Sequence, residues 1–149
     1  MPGAGRLPSG MRFDLVDAVL EQNEKTIVTI KHVSGAEEYL QDHFAGFPVL
    51  PGVMMLEAMV QAGRRLAEAG RDPSDPPLVL GSVRGLKYGR FVPPGCSLVV
   101  RCEMPSGRAE DGSVEIRATA GVREPDGSMS GQKAASGRLT LRPVRVPAG

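Results

Sequence analysis

His43 and Glu57 are the side chains best suited to moving protons here, and they stand fourteen positions apart with Pro51-Gly52 between them. His43 is one of two histidines in 149 residues. A neutral imidazole is the side chain that accepts a proton near neutral pH. Glu57 interrupts an otherwise apolar run from Val53 to Gly63, broken again only at Gln61. A carboxylate in such a run is costly unless it is paired, hydrated or protonated. Gln61 lies four residues on, hence on the same helical face. Gly52 falls where the helix should begin, and a helix start leaves its first N–H groups open to an anion. A histidine, a carboxylate and an N–H donor together make an acid–base site. Each part alone has an ordinary reading. A histidine beside Phe44 is more often structural, a glutamate can sit at an open edge, and Pro-Gly commonly starts a helix. The conjunction is what singles out this stretch.

These residues need a loop and a helix to hold them. Pro48, Pro51, Gly46 and Gly52 mark a turn-rich segment over 42–52. From Val53 to about Ala69 proline is absent and helix formers dominate. Because the first three turns are apolar nearly all round, this helix is expected to be buried. Gly70 is a candidate C-terminal cap, and Arg64 and Arg65 suit the negative end of the dipole. Upstream, 25–33 is rich in Ile, Val and Thr and predicts a strand. Residues 13–20 could be strand or short helix, 21–24 read as a turn, and 37–40 as a turn or short helix. Downstream, 78–91, 97–104, 113–122 and 129–141 predict strands. Gly81, Gly85 and Gly89 suggest bulges in the first of these, and Glu124-Pro125-Asp126-Gly127 suits a hairpin. Strands, one buried helix, then a run of antiparallel strands define an α+β architecture, an antiparallel sheet wrapped around one long helix.

The totals narrow the field. Residues 1–149 suit one domain, with 1–10 and 143–149 as loose tails. Hydrophobic content of 41% with 23% charged residues is ordinary globular composition. A net charge of +1 argues against a general nucleic-acid binder. No stretch approaches the length of a membrane span or reads as a signal peptide. Cys96 and Cys102 have neither zinc-knuckle nor CxxC spacing. On a strand they share a face, which predicts buried free thiols in a reducing cytoplasm. No metal-ligand cluster is visible. Charge is uneven along the chain. Residues 78–102 carry Arg84, Lys87, Arg90 and Arg101 without an acid, and 128–149 carry Lys133, Arg138, Arg142 and Arg145 without one. Solvated strand faces and a docking surface for an acidic partner both fit this pattern.

The central segment resembles the site motif of the FabZ-type 3-hydroxyacyl-acyl-carrier-protein dehydratases, which run approximately G-H-F-P-G-x-P-x-x-P-G-x-x-x-x-E-A-x-x-Q. His43, Phe44, Gly46, Pro48, Pro51, Gly52, Glu57, Ala58 and Gln61 match it in register. Asp42 and Ala45 depart from it, and neither replaces a group that handles protons. Weaker likeness extends to Asp14–Val19, to Lys87-Tyr88 and to Val92-Pro93-Pro94-Gly95, so the resemblance covers roughly 12–142. It implies the hotdog fold. It also implies dehydration of a (3R)-3-hydroxyacyl thioester on acyl carrier protein to the trans-2-enoyl thioester, in fatty acid or related acyl-chain biosynthesis and without a cofactor. By resemblance His43 is the base, Glu57 protonates the leaving hydroxyl, and the Gly52 N–H polarises the thioester carbonyl. The Val49 carbonyl fixes the histidine tautomer and Gln61 orients Glu57. Phe44, Phe47, Met54 and Tyr88 would line the acyl site, while Arg84, Lys87 and Arg90 would help dock the acidic carrier. Similar enzymes are homodimers with shared sites, sometimes trimers of dimers. Glu rather than Asp at position 57 favours plain dehydration over added double-bond isomerisation.

Two other readings remain open at this point. A hotdog acyl thioesterase would use a carboxylate to activate water and would not need His43. A non-catalytic acyl-thioester binding module or subunit would need neither. Replacing His43 by Ala should lower dehydration about 10²–10⁴-fold, the usual cost of losing an acid–base group, while His32→Ala should remain active. Near-normal turnover by the His43→Ala protein in a single-substrate assay would exclude the assignment.

Overall fold

The computed structural model describes residues 14–34 and 49–144. In chain order the elements are β1 (Ala18–Gln22), β2 (Thr26–His32), α1 (Gly52–Glu68), β3 (Leu78–Tyr88), β4 (Ser97–Glu103), β5 (Val114–Arg123) and β6 (Met129–Pro143). The strands form one six-stranded sheet in the order β1-β2-β4-β5-β6-β3, and every pairing is antiparallel. The helix lies against one face of that sheet, which is the hotdog arrangement the resemblance implies.

Alternation on β5 shows how the sheet makes its core. Val114, Ile116, Ala118, Ala120 and Val122 are buried, while the residues between them are not. The buried set faces α1, whose Met55, Met59, Ala62 and Leu66 complete the core. Contact is closest at Gly63, where a Cβ would stand 3.3 Å from Ile116 Cγ2. The absent side chain therefore lets helix and sheet approach. Cys96 and Cys102 are free and buried, as their spacing predicts. Burial pushes the Cys102 thiol up to about 12.

Several boundaries differ from expectation. Residues 21 and 22 belong to β1 rather than to a turn. The turn falls just after them, where the Asn23 side chain accepts from the Lys25 and Thr26 N–H groups. Every residue of β1 is exposed, so an edge strand accommodates polar residues that read as a loop. β3 stops at Tyr88 rather than at residue 91. Its register shifts at Leu80/Ser82 and Arg84/Lys87, around Gly81 and Gly85, so the glycine-marked bulges are present. Pro143, expected to open a loose tail, instead closes β6, and the Val144 N–H donates to the Pro77 carbonyl. The hairpin at 124–127 forms as expected, with Glu124 N–H bonded to Ser128 O and Gly127 at φ 92°. The helix caps as its sequence suggests, Gly70 following the Ala69 cap at φ 79°.

The helix is not buried all round. Val53 is 66% exposed, and Glu57 and Arg65 are exposed with it. One sheet covers one side of a cylinder, so a stripe at spacing four stays open on the opposite side.

Just beyond β3, Gly89 passes against β6. Its N–H donates to Ala134 O, and a Cβ would fall 2.3 Å from Lys133 O. Backbone cannot yield there as a side-chain tip could. Gly89→Ala should therefore destabilise the fold by about 1–3 kcal/mol, as overpacked sites do. Gly131→Ala, with open space at its Cβ position, should stay within about 0.5 kcal/mol. Urea unfolding of the two variants checks this, and equal midpoints would contradict the close approach.

Candidate active site

The beginning of α1 presents a backbone donor, the Gly52 N–H, at the positive end of the helix. Pro51 is the cap residue, in extended conformation at φ −63° and ψ 148°, and it contributes no side-chain capping bond. Its carbonyl takes the Met54 and Met55 N–H groups at 2.9 and 3.2 Å. No acid occupies the first turn of the helix, so none of its own residues there offsets the positive end of the dipole. The Gly52 N–H has no partner among the described residues. Glycine at this position also lets the Tyr88 ring approach closely. A Cβ on Gly52 would stand 3.0 Å from Cζ of Tyr88, whose ring lies over it.

Glu57 follows on the exposed stripe of α1. Its carboxylate accepts from Gln61 Nε2 at 3.1 Å. The Gln61 carbonyl oxygen in turn accepts the Leu15 N–H at 2.8 Å. That second bond fixes which end of the amide faces Glu57, so the donor end points at the carboxylate. Leu15 is buried before β1, and no motif in the sequence pointed to it as a partner. Val49 is buried at the entrance to α1 and Met54 is half-buried beside the core. Thus Val49, Gly52, Met54 and Tyr88 lie at the N-terminal end of α1, with Glu57 about a turn and a half and Gln61 about two and a half turns along it. His43, Phe44 and Phe47 lie outside the described residues. His32 is structural: its N–H donates to Asp17 and its ring meets Ser97 Oγ at 3.2 Å.

The basic residues sort differently from their order in the chain. Arg90, expected at the carrier surface, is drawn inward. It makes a two-pronged ion pair with Glu124, through Nη1 to Oε2 and Nη2 to Oε1. Its side chain is 26% exposed and that of Glu124 28%. The hydrogen bond from Arg90 holds the Glu124 carboxyl below its usual range. A carboxylate depressed in this way stabilises the fold above its unfolded pKa, and the contribution fades as pH falls through the folded value. Burial pushes the Cys96 thiol up, and the neighbouring Glu124 charge adds to the effect.

Arg84 and Lys87 do reach a common surface. They line a groove of about 480 Å³ together with Arg117, Lys133 and Arg138. Arg84, Arg138 and Arg117 are direct cross-strand neighbours on β3, β6 and β5. Like charges in such a row repel. Glu115 meets Arg84 at 3.2 Å and Glu103 lies 3.8 Å from Arg117. Arg138, Lys87 and Lys133 make no ion pair among the described residues. Arg117 was not a sequence candidate, because the strand register that sets it beside Arg138 is not written in local spacing.

A family model for the FabA-like domain matches residues 7–127. The 3-hydroxyacyl-[acyl-carrier-protein] dehydratase FabZ of Thermus thermophilus is 36% identical over 138 residues, covering 91% of this chain and 89% of that protein. FabZ of Lactococcus lactis subsp. cremoris is 32% identical over 135 residues, covering 91% and 88%. Among solved structures, smu.793 from Streptococcus mutans UA159, bound to acetyl CoA, superposes with a TM-score of 0.65 at 12% identity, over 93% of this chain and 96% of that one. The dehydratase heterocomplex ApeI:P from Xenorhabdus doucetiae gives 0.64 at 15% identity, over 89% and 84%. At such identities the structural likeness speaks for the hotdog fold alone. The sequence likeness goes further: this chain belongs to the FabA-like family, with FabZ dehydratases as its relatives.

Proposed function

We propose that this chain dehydrates 3-hydroxyacyl thioesters carried on acyl carrier protein, giving trans-2-enoyl thioesters in fatty acid or related acyl-chain biosynthesis. The observation that carries the proposal is the start of α1, where the Gly52 N–H, without a partner among the described residues, and the Glu57 carboxylate, oriented by Gln61, stand about a turn and a half apart. His43 takes the C2 proton, and the electron pair of that C–H bond flows toward the thioester carbonyl. The Gly52 N–H stabilises the oxygen as it gains charge. Elimination then forms the C2–C3 double bond and breaks C3–O, and the departing oxygen takes the Glu57 proton and leaves as water. Return of a proton from His43 to Glu57 resets the pair. Val49 holds the histidine tautomer, and Phe44, Phe47, Met54 and Tyr88 line the acyl path. A thioesterase or a passive binder is not favoured by the family relationship.

The carrier docks on the groove of Arg84, Lys87, Arg117, Lys133 and Arg138, whose cations outnumber their acidic partners. Arg90 is withdrawn from that surface by Glu124. The chain works as a homodimer. A second copy covers the open stripe of α1 around Val53 and brings its His43 to the first copy's Glu57.

Incubation with a 3-hydroxyacyl carrier-protein thioester tests the reaction. Enoyl product supports it, whereas free acid or unchanged bound substrate overturns it. In the same assay, reversing Lys87 and Arg138 to Glu should raise KM for carrier-linked substrate, with the effect shrinking at high salt. A small thioester analogue should be processed almost as before, and equal losses on both substrates would remove the docking role. Mixing His43→Ala and Glu57→Ala chains tests the shared site. Random exchange should restore about a quarter of wild-type activity, since about half the dimers are hybrids with one intact site of two. Chains that exchange yet stay inactive would exclude it.

A further inference from the structure

One short segment, residues 89–96, is hydrogen-bonded to β6, to the residues before α1 and to the end of β2. At its start the Gly89 and Arg90 N–H groups donate to Ala134 O and Lys133 O, seating it on β6. In its middle the buried Val92 accepts the Leu50 N–H through its carbonyl at 3.0 Å. Leu50 is two residues before Gly52, so this bond sets where α1 begins. At its end the Gly95 N–H donates to Val33 O at 2.8 Å, and the Val33 N–H donates to Cys96 O at 3.0 Å. Val33 is where the chain leaves β2 toward His43, and Val49-Leu50 is where it returns. Both ends of the stretch that contains His43 are therefore hydrogen-bonded to the same eight-residue strap.

A single side chain secures that strap at two points. The Glu124 carboxylate takes both prongs of Arg90 near its start, and the Cys96 thiol lies 3.7 Å from Glu124 Oε1 at its end. Glu124 is itself fixed at the mouth of the β5–β6 hairpin. Its N–H donates to Ser128 O and its carbonyl accepts from Gly127 N–H, at 2.7 and 2.8 Å. From the hairpin to the helix start the connection thus runs through named bonds: Glu124 to Arg90, along the backbone to Val92, and across to Leu50 and Gly52. Tyr88, the last residue of β3 and immediately before the strap, covers Gly52 from the other side.

We propose that Glu124 and Arg90 are positioning residues for the dehydratase site: their ion pair holds the 89–96 strap, from which the start of α1 and both ends of the His43 stretch are hung. The role rests on the dehydratase reading above, and it gives Arg90 a task quite separate from carrier docking. A donor or base displaced by about 1 Å can cost on the order of 10²-fold in rate, so a strap that loosens without unfolding should show in kcat.

The test uses Glu124→Gln, which keeps the shape and removes the charge, and Arg90→Lys, which keeps the charge and removes the fork. For each, kcat and KM are measured on carrier-linked and small thioester substrates. Amide exchange at Val33, Leu50 and, as a core reference, Val100 is followed in the same proteins. In Glu124→Gln we expect kcat to fall by about 10-fold or more on both substrates, with KM within about twofold. Leu50 and Val33 N–H exchange should quicken by a similar factor while Val100 stays protected. Glu124→Asp, which restores the charge, should recover part of both effects. Unchanged kcat and unchanged Leu50 exchange in a folded Glu124→Gln protein would overturn the proposal. So would a loss confined to KM for carrier-linked substrate. If Glu124→Gln does not fold, the same readouts on Arg90→Lys decide. Should the wild-type protein release no enoyl product, the dehydratase reading fails, while the exchange at Leu50 and Val33 still decides whether the clamp exists.

Discussion

An apolar helix packed against one face of a sheet is the constraint on which the rest of the described structure depends. The sheet can cover only one side of α1, and the lack of a side chain at Gly63 lets the helix pack closely against Ile116. What remains is an open stripe, and Glu57 sits on it. The same geometry that gives the fold its core therefore leaves the Glu57 carboxylate exposed on the helix. Polar groups on that stripe cost little in the separate chain because water solvates them. Covering the stripe raises the value of each fixed hydrogen bond, such as Gln61 to Glu57.

The start of the helix is built with the same economy. Pro51 supplies a carbonyl acceptor but no N–H and no side-chain cap. Ser, Thr or Asp at this position would accept one N–H of the first turn, from Val53 or Met54. Without such a cap the helix end is slightly weaker, and no capping oxygen offsets its field. Loss of the cap is offset by position, because Leu50 is tied to Val92 and Tyr88 lies over Gly52. Anchoring from outside the helix takes the place of capping from within it.

Charge shows how far strand order can depart from chain order. Residues 78–102 contain four basic residues and no acid, yet three of the four meet an acid in space. Arg84 finds Glu115, Arg90 finds Glu124, and Arg101 finds Glu103. Glu103 lies just past the segment on the same strand, whereas Glu115 and Glu124 arrive from β5 and its hairpin through the folding of the sheet. Lys87 alone keeps its charge unpaired among the described residues, beside Arg138 and Lys133 across the groove. A surface that looks uniformly basic along the chain is thus a mixture of neutralised and free cations, and only the free ones remain to attract an acidic partner.

Local chemistry decided what the sequence could announce by itself. The start of α1 at Gly52, the Glu57–Gln61 pair and the bulges at Gly81 and Gly85 all depend on residues within one or two turns of each other. Steric and hydrogen-bonding preferences act at that range, so composition and spacing express them directly. Motif likeness extended this to the hotdog fold, because a sheet wrapped around one helix is the arrangement that buries such a run. Tertiary structure alone decided the rest. That Gln61 leans on Leu15, that Arg90 turns inward to Glu124, and that Arg117 stands beside Arg138 are contacts between residues 21 to 46 positions apart. They follow from strand register, which is fixed by the packing of all six strands at once and leaves no local mark. The exposed edge strand β1 stayed undecided between strand and helix for the opposite reason: solvated on every side chain, it carries none of the apolar alternation by which a strand is recognised.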